Sequence, residues 1–313
     1  MQVNTSKNIL ITGAPRSGTT YIGKVLEKNN NYIYFHEPFR ANHGMHGINH
    51  RFPFAQSFNY TEIVDEFFNG DAKFIIKKHA KNTIWEYYIK KLIGNRDKIK
   101  YRNYFNDKKQ SKSLLLKDPF ASFLSDYIFS KEYAKVITVV RHPMAFYCSL
   151  KQKKSDFDFK NFLGQKELIE VYFKDEVALI KNAHNLTYEE RIALLWKCIN
   201  KVFTAVENKH RDKDGWLLVK HEDISTSPID FFQTLCNRLQ ISFTKEMEQF
   251  ISETSYNKGK ILAEGNIWHD FKRDSSALKE YWKQVVTKEQ VQRIYNIVSE
   301  IADLYYDKSS WQL

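Results

Sequence analysis

Ile9-Leu10-Ile11-Thr12-Gly13-Ala14-Pro15-Arg16-Ser17-Gly18-Thr19-Thr20 is the stretch on which the reading of the fold turns. Residues 9–12 form an apolar run too short for a helix, and Gly13 closes it, which predicts a buried strand. From Thr19 onward, Tyr21, Ile22, Val25 and Leu26 share one helical face. A Gly/Pro/Ser turn joins the two. In that order the elements form an anion cradle, because backbone N–H groups wrap oxygens and the helix N-terminus adds partial positive charge. Gly13 and Gly18 allow close backbone approach, and Thr19 and Thr20 add hydroxyl donors.

Working outward, the strand–turn–helix unit recurs. Tyr32-Ile33-Tyr34-Phe35 reads as a second strand closed by His36-Glu37-Pro38. Ser113-Leu114-Leu115-Leu116 reads as a third, closed by Lys117-Asp118-Pro119 and followed by a helix over 120–129. Val136-Ile137-Thr138-Val139-Val140 is the clearest central strand; Arg141-His142-Pro143 stops it and a helix over 144–154 follows. Ile192, Leu195, Trp196, Ile199, Val202, Phe203 and Val206 make a helical stripe. Trp216-Leu217-Leu218-Val219 is a late strand, its turn Lys220-His221-Glu222-Asp223 read as structural. Val291, Ile294, Ile297, Val298, Ile301 and Leu304 form a C-terminal amphipathic helix. Such alternation predicts an α/β fold: a mostly parallel sheet flanked by helices in a three-layer sandwich, with ligands beyond the carboxyl ends of the strands. No repeat or linker divides residues 1–313, so a single domain is expected. Residues 38–60 lack clean periodicity and read as a long loop over the site.

Composition narrows the function classes. Hydrophobic residues at 42% and charged residues at 27% support a folded core. Lys and Arg total 48 against 37 acidic residues, and the resulting +11 favours anionic ligands. The cations are scattered, with only short dense stretches at 108–117 and 151–154, so a nucleic-acid arm is not expected. Cys148, Cys198 and Cys236 lie far apart, without a CxxC, and read as reduced thiols. His36, His43, His46 and His50 match no standard zinc spacing, and no metal is expected. The polar N-terminus and the lack of any long apolar stretch predict no membrane span and a cytoplasmic protein.

The loop mimics the spacing GxxxxGK[ST], but Thr19 stands where that pattern has Lys, and the cation comes earlier, as Arg16. The 136–140 strand ends in Arg141, not in an Asp that would support Mg²⁺. A P-loop kinase-like nucleotide phosphotransferase is therefore the weaker alternative.

Pro15-Arg16-Ser17-Gly18-Thr19-Thr20 resembles the 5′-phosphosulfate loop of sulfotransferases that use 3′-phosphoadenosine-5′-phosphosulfate (PAPS), in the form found in the tyrosylprotein and carbohydrate branches. The resemblance implies a sulfotransferase domain over 1–313, PAPS as co-substrate, 3′,5′-adenosine bisphosphate as product, and no metal. It assigns Gly13, Pro15, Arg16, Ser17, Gly18, Thr19 and Thr20 to the phosphosulfate. Arg141, with Ser149 eight residues on, matches the family's 3′-phosphate grip; His142 departs from the Asp often found there. Lys117-Asp118-Pro119-Phe120 resembles a segment of the tyrosylprotein branch whose Lys approaches the transferring sulfonate.

That branch also makes Glu37 the general base, with His36 as competitor, and strand alternation predicts that these neighbours point to opposite faces. Ser275 or Ser276, ahead of Trp282, matches a family Ser that reaches the phosphosulfate, or else caps a helix. Residues 38–110 and 155–215 are expected to shape the acceptor side. The acceptor is read only as a hydroxyl or amine compound, with a saccharide or glycolipid favoured over a small phenol. A catalytically silent nucleotide-binding protein is a third reading; the joint presence of Arg16, Glu37, Lys117, Arg141 and Ser149 argues against it.

Overall fold

The computed structural model describes residues 7–75, 96–107, 112–255 and 280–313. Five strands, β1 (Ile9–Gly13), β2 (Tyr32–His36), β3 (Ser113–Lys117), β4 (Lys135–Val140) and β5 (Trp216–Lys220), form one sheet in the order β2-β3-β1-β4-β5. Every pairing is parallel, with Ile11 opposite both Lys117 and Ile137. From β1 the chain crosses to the edge, returns through β3, and then continues on the other side in β4 and β5. The strand order therefore reverses at β1, and an open α/β sheet forms its ligand crevice at such a reversal.

Both faces of the sheet are covered, so β1 is buried at all five positions, and its one polar side chain, Thr12, shares a hydrogen bond with Ser122. The period of two sorts its side chains: Leu10, Leu116 and Val136 enter one core, while Ile9, Ile11, Leu115 and Ile137 enter the other. Helices Thr19–Leu26, Pro228–Leu239 and Lys245–Ser255 close the second core with Ile22, Leu235 and Met247. Helices Tyr60–Asn69, Pro143–Gln152, Tyr188–His210 and Lys288–Ala302 close the first. These are the three layers expected. The stripe from Ile192 to Val206 lies on the 23-residue helix, whose start is fixed by a capping box between Thr187 and Glu190.

One local expectation needs correction. Residues 120–129 are not one helix: a 3₁₀ segment Pro119–Leu124 precedes a short helix Ser125–Ser130. The Asp118 carboxylate accepts the Phe120 N–H and starts the tighter turn, and all six residues of that turn are buried. The stretch read as a long loop over 38–60 is one, and it is well packed. Phe39, Met45, Ile48, Phe52 and Phe54 are buried, and the Gln165 amide accepts from the Phe54 N–H at 2.7 Å while donating to the Phe52 carbonyl at 3.1 Å. Among the described residues no helix is long and apolar enough to cross a membrane.

Candidate active site

A cavity of about 840 Å³ opens beyond the carboxyl ends of β1 to β4. On one wall the turn after β1 is sterically determined. Gly13 has φ 155°, and a Cβ there would stand 2.6 Å from the Val139 carbonyl. Gly18 has φ 91°, and its Cβ would stand 2.6 Å from His221 Nδ1. Another residue would displace backbone at Gly13 and the buried His221 ring at Gly18, where the left-handed φ is a further strain. Arg16, at φ 69°, is held in the left-handed region between them, and its Nε donates to Ser149 Oγ at 3.1 Å. Arg141 Nη1 donates to the Arg16 carbonyl at 2.6 Å, while the Trp196 indole donates to the Arg141 carbonyl at 2.8 Å. Arg16, Arg141 and Ser149 thus meet on one cavity, as the spacing required.

Pro15, Gly18, Thr19 and Thr20 line the same wall, whereas Gly13 and Ser17 lie behind it. Ser17 Oγ is buried without a hydrogen-bond partner among the described residues. The fit to a ligand that brings oxyanions rests on the wall itself, a turn that opens a helix between two guanidinium groups. His221, read from sequence as part of a structural turn, also faces this wall against Gly18. Its burial, reinforced by Arg141 and Arg16, holds the imidazole pKa far below the ordinary value, so the ring is neutral.

At the opposite end, Lys117 Nζ donates to Glu37 Oε1 at 2.7 Å from a side chain only 2% exposed. Arg40 Nη1 reaches Glu37 Oε2 at 3.2 Å, and His36 Nε2 lies 3.5 Å from Oε1. The expectation that His36 and Glu37 face apart is overturned. Glu37 follows the strand with φ 54°, so the alternation ends at His36 and both side chains enter the cavity. Burial alone pushes the Glu37 carboxyl up, but Lys117, His36 and Arg40 outweigh it and hold its pKa below the ordinary carboxylate value. It is charged at neutral pH.

Asp118 is fully buried beneath, accepting the Phe39 N–H at 2.7 Å and the Phe120 N–H at 2.9 Å. It thereby anchors the turn that follows Glu37. Burial and the Glu37 charge push the Asp118 carboxyl up to about 7 against those two bonds and Lys117.

His142, the departure from the family pattern, turns away from the cavity chemistry. It is 3% exposed, stacks on Trp282 with centroids 5.1 Å apart, and packs against Tyr306 and Trp311. Burial first, then Lys283 and Arg141, push its pKa down to about 3. The position after Arg141 thus holds a neutral ring in an aromatic box. Ser275 and Ser276 lie outside the described residues. His43 bonds the Ala41 carbonyl and His50 the Tyr60 hydroxyl.

Sequence reasoning missed Arg40, Arg51 and Asn161, which line the far end of the cavity. They come from the aperiodic loop and from a helix with no motif, and nothing in their local sequence marks them.

The chain matches a family model described as "Sulfotransferase family" over residues 8–245. Solved structures similar to it include a sulfotransferase domain from the curacin biosynthetic pathway, at 15% identity and TM-score 0.49, covering 93% of this chain and 96% of that one. A mouse sulfotransferase complexed with PAP is similar at 11% identity and TM-score 0.44, with 95% and 84% covered. A Mycobacterium avium sulfotransferase is similar at 14% identity and TM-score 0.46, with 96% and 77% covered. No curated protein sequence matches the chain. The family match over three quarters of its length establishes that the chain belongs to the sulfotransferase family.

Proposed function

We propose that the chain transfers the sulfonate of PAPS to a hydroxyl or amine of a polar acceptor, a saccharide or glycolipid before a small phenol, with Glu37 as general base. The observation that carries this reading is one cavity walled at one end by Arg16, Arg141 and Ser149 and at the other by the Glu37–Lys117 pair. Bound PAPS supplies a sulfonate on a good leaving group. The side chains do the rest. Arg141, whose backbone is fixed through Trp196 and whose guanidinium reaches the Arg16 carbonyl, meets the 3′-phosphate together with Ser149. Arg16 and the turn's N–H groups meet the 5′-phosphosulfate.

Glu37, kept ionised by its cations, takes the acceptor proton as the acceptor oxygen or nitrogen bonds to sulfur and the bond from sulfur to the 5′-phosphate oxygen breaks. Lys117 and Arg16 offset the negative charge left on that phosphate oxygen. Residues 1–313 act as one unit in this reading; 38–110 and 155–215 shape the acceptor end, consistent with Arg40, Arg51 and Asn161 lining it. Cys198 and Cys236 are buried free thiols, which supports a reducing compartment such as the cytoplasm.

The test is direct. Without added metal, 3′,5′-adenosine bisphosphate should raise the melting temperature more than AMP does, and labelled PAPS should pass label to a member of an acceptor panel. Stronger stabilisation by ATP with Mg²⁺ would replace this reading with the phosphotransferase one. Nucleotide binding without transfer to any acceptor would favour the silent binding protein.

A further inference from the structure

Beyond Glu37, the far end of the cavity carries more positive charge than its own carboxylates match. Both Glu37 oxygens are engaged, Oε1 by Lys117 and Oε2 by Arg40. Arg51 is half-buried, and among the described residues no carboxylate lies within ion-pair distance of it. Its guanidinium is instead set between two rings, 5.5 Å from the centroids of both Phe120 and Phe157, while Arg40 approaches the same Phe120 ring at 5.7 Å. The backbone is fixed as well, since the Arg51 N–H donates to Asn161 Oδ1 at 2.7 Å. Aromatic faces hold a guanidinium in place without consuming its in-plane N–H donors. The result is a preorganised planar cation facing a cavity, with a second guanidinium beside it.

We propose that the acceptor bears an anionic group, a carboxylate or a phosphate monoester, which Arg51 binds with support from Arg40 while the accepting hydroxyl or amine lies at Glu37. This rests on the sulfotransferase reading of the Glu37 end and adds the charge of the substrate to it. Two in-plane N–H groups of Arg51 match the two oxygens of such an anion, an arrangement that lysine does not reproduce. Burial and then Arg40 lower the Arg51 pKa against the pull of Glu37, and the attraction of a bound anion offsets both.

Calorimetry on the full chain saturated with 3′,5′-adenosine bisphosphate tests the site with three probes: methyl β-D-glucuronide, glucose 6-phosphate and methyl β-D-glucoside. The glucuronide or the phosphate should bind at least about tenfold more tightly than the neutral glucoside, one charge-assisted contact's worth. Whichever of the two binds tighter distinguishes a carboxylate from a phosphate as the preferred group. Arg51→Gln should reduce the preference to about twofold or less, and Arg51→Lys should restore only part of it. Nucleotide affinity, within about threefold of the parent in both variants, reports that they fold. Equal binding of all three probes, no binding of any, or a preference unchanged in Arg51→Gln overturns the proposal. Failure of the bisphosphate to bind overturns the nucleotide reading instead, so the two failures are distinct.

Discussion

The two ends of the cavity are built on different principles. At the loop end, the wall is built by the turn after β1 and by Arg141 and Ser149 from one strand–helix unit. Left-handed glycines, a helix N-terminus and a strand end fix the geometry there, and each follows from local sequence. At the far end, Arg40, Arg51, Phe120, Phe157 and Asn161 converge from separate segments; the bond from Arg51 to Asn161 spans 110 positions. Where the backbone does the binding, spacing in the chain carries the chemistry. Where side chains converge from distant loops, only the folded molecule displays it. The Glu37–Lys117 contact belongs to this far end and is set by the neighbouring ends of β2 and β3.

The largest expected effect tests whether these ends are separable. Glu37→Gln should lower transfer from PAPS by at least about 100-fold, the lower range for a lost base, and leave bisphosphate affinity within about threefold. A parallel fall in affinity would merge the two ends into one functional unit.

The pH profile sharpens the same point. Because its folded pKa is lowered, Glu37 is ionised at neutral pH, and its function and its stabilising contribution are lost only as pH falls through that lowered value. As far as Glu37 sets it, transfer should therefore be level from about pH 7.5 down to about pH 5, which Asp118→Asn tests free of the carboxyl pushed up to about 7 beneath Glu37. A loss in that range that persists in Asp118→Asn, and so does not come from that carboxyl, would move the base to His36.

Arg141→Ala probes the loop end alone. Bisphosphate affinity should fall about 10- to 100-fold, as for a lost charged hydrogen-bonding partner, while transfer at saturating PAPS changes far less. Calorimetry and initial rates at high PAPS separate the two quantities. A fall confined to the saturated rate would place Arg141 at the reacting centre.

How much of this was legible in the sequence follows the same division. All five strands could be read as short apolar runs, since a parallel strand covered on both faces has no polar alternation to obscure it. The meeting of Arg16, Arg141 and Ser149 was likewise legible, since strand ends and helix starts place them. Two misreadings have conformational causes. The left-handed Glu37 defeats strand alternation, and Asp118 draws the following residues into a 3₁₀ turn by capping it. Neither is encoded in hydrophobic period. His221 was taken for a turn residue because its role depends on Gly18, 203 positions earlier, leaving space for an imidazole. Arg51 had no signal at all, since an arginine in an aperiodic stretch looks like any solvated cation until Phe120 and Phe157 are seen around it.

The smallest effect is the most discriminating for the loop end. Ser149 Oγ accepts from Arg16 Nε across 133 positions, so it can act in two ways: as a donor to a bound phosphate and as a brace for the arginine. Ser149→Ala alone should weaken bisphosphate binding about 10-fold, the low end for one hydrogen bond to a charged partner. Arg16→Lys keeps the charge but removes the Nε–H that Ser149 accepts. If bracing dominates, Ser149→Ala should add almost nothing in the Arg16→Lys background, and a double-mutant cycle would return a coupling close to the whole single-mutant effect. If direct contact with phosphate dominates, the two changes should add. Additivity would mean that Ser149 binds the ligand itself; strong coupling would mean that the turn after β1 and the helix after β4 hold each other in the binding geometry before any nucleotide arrives.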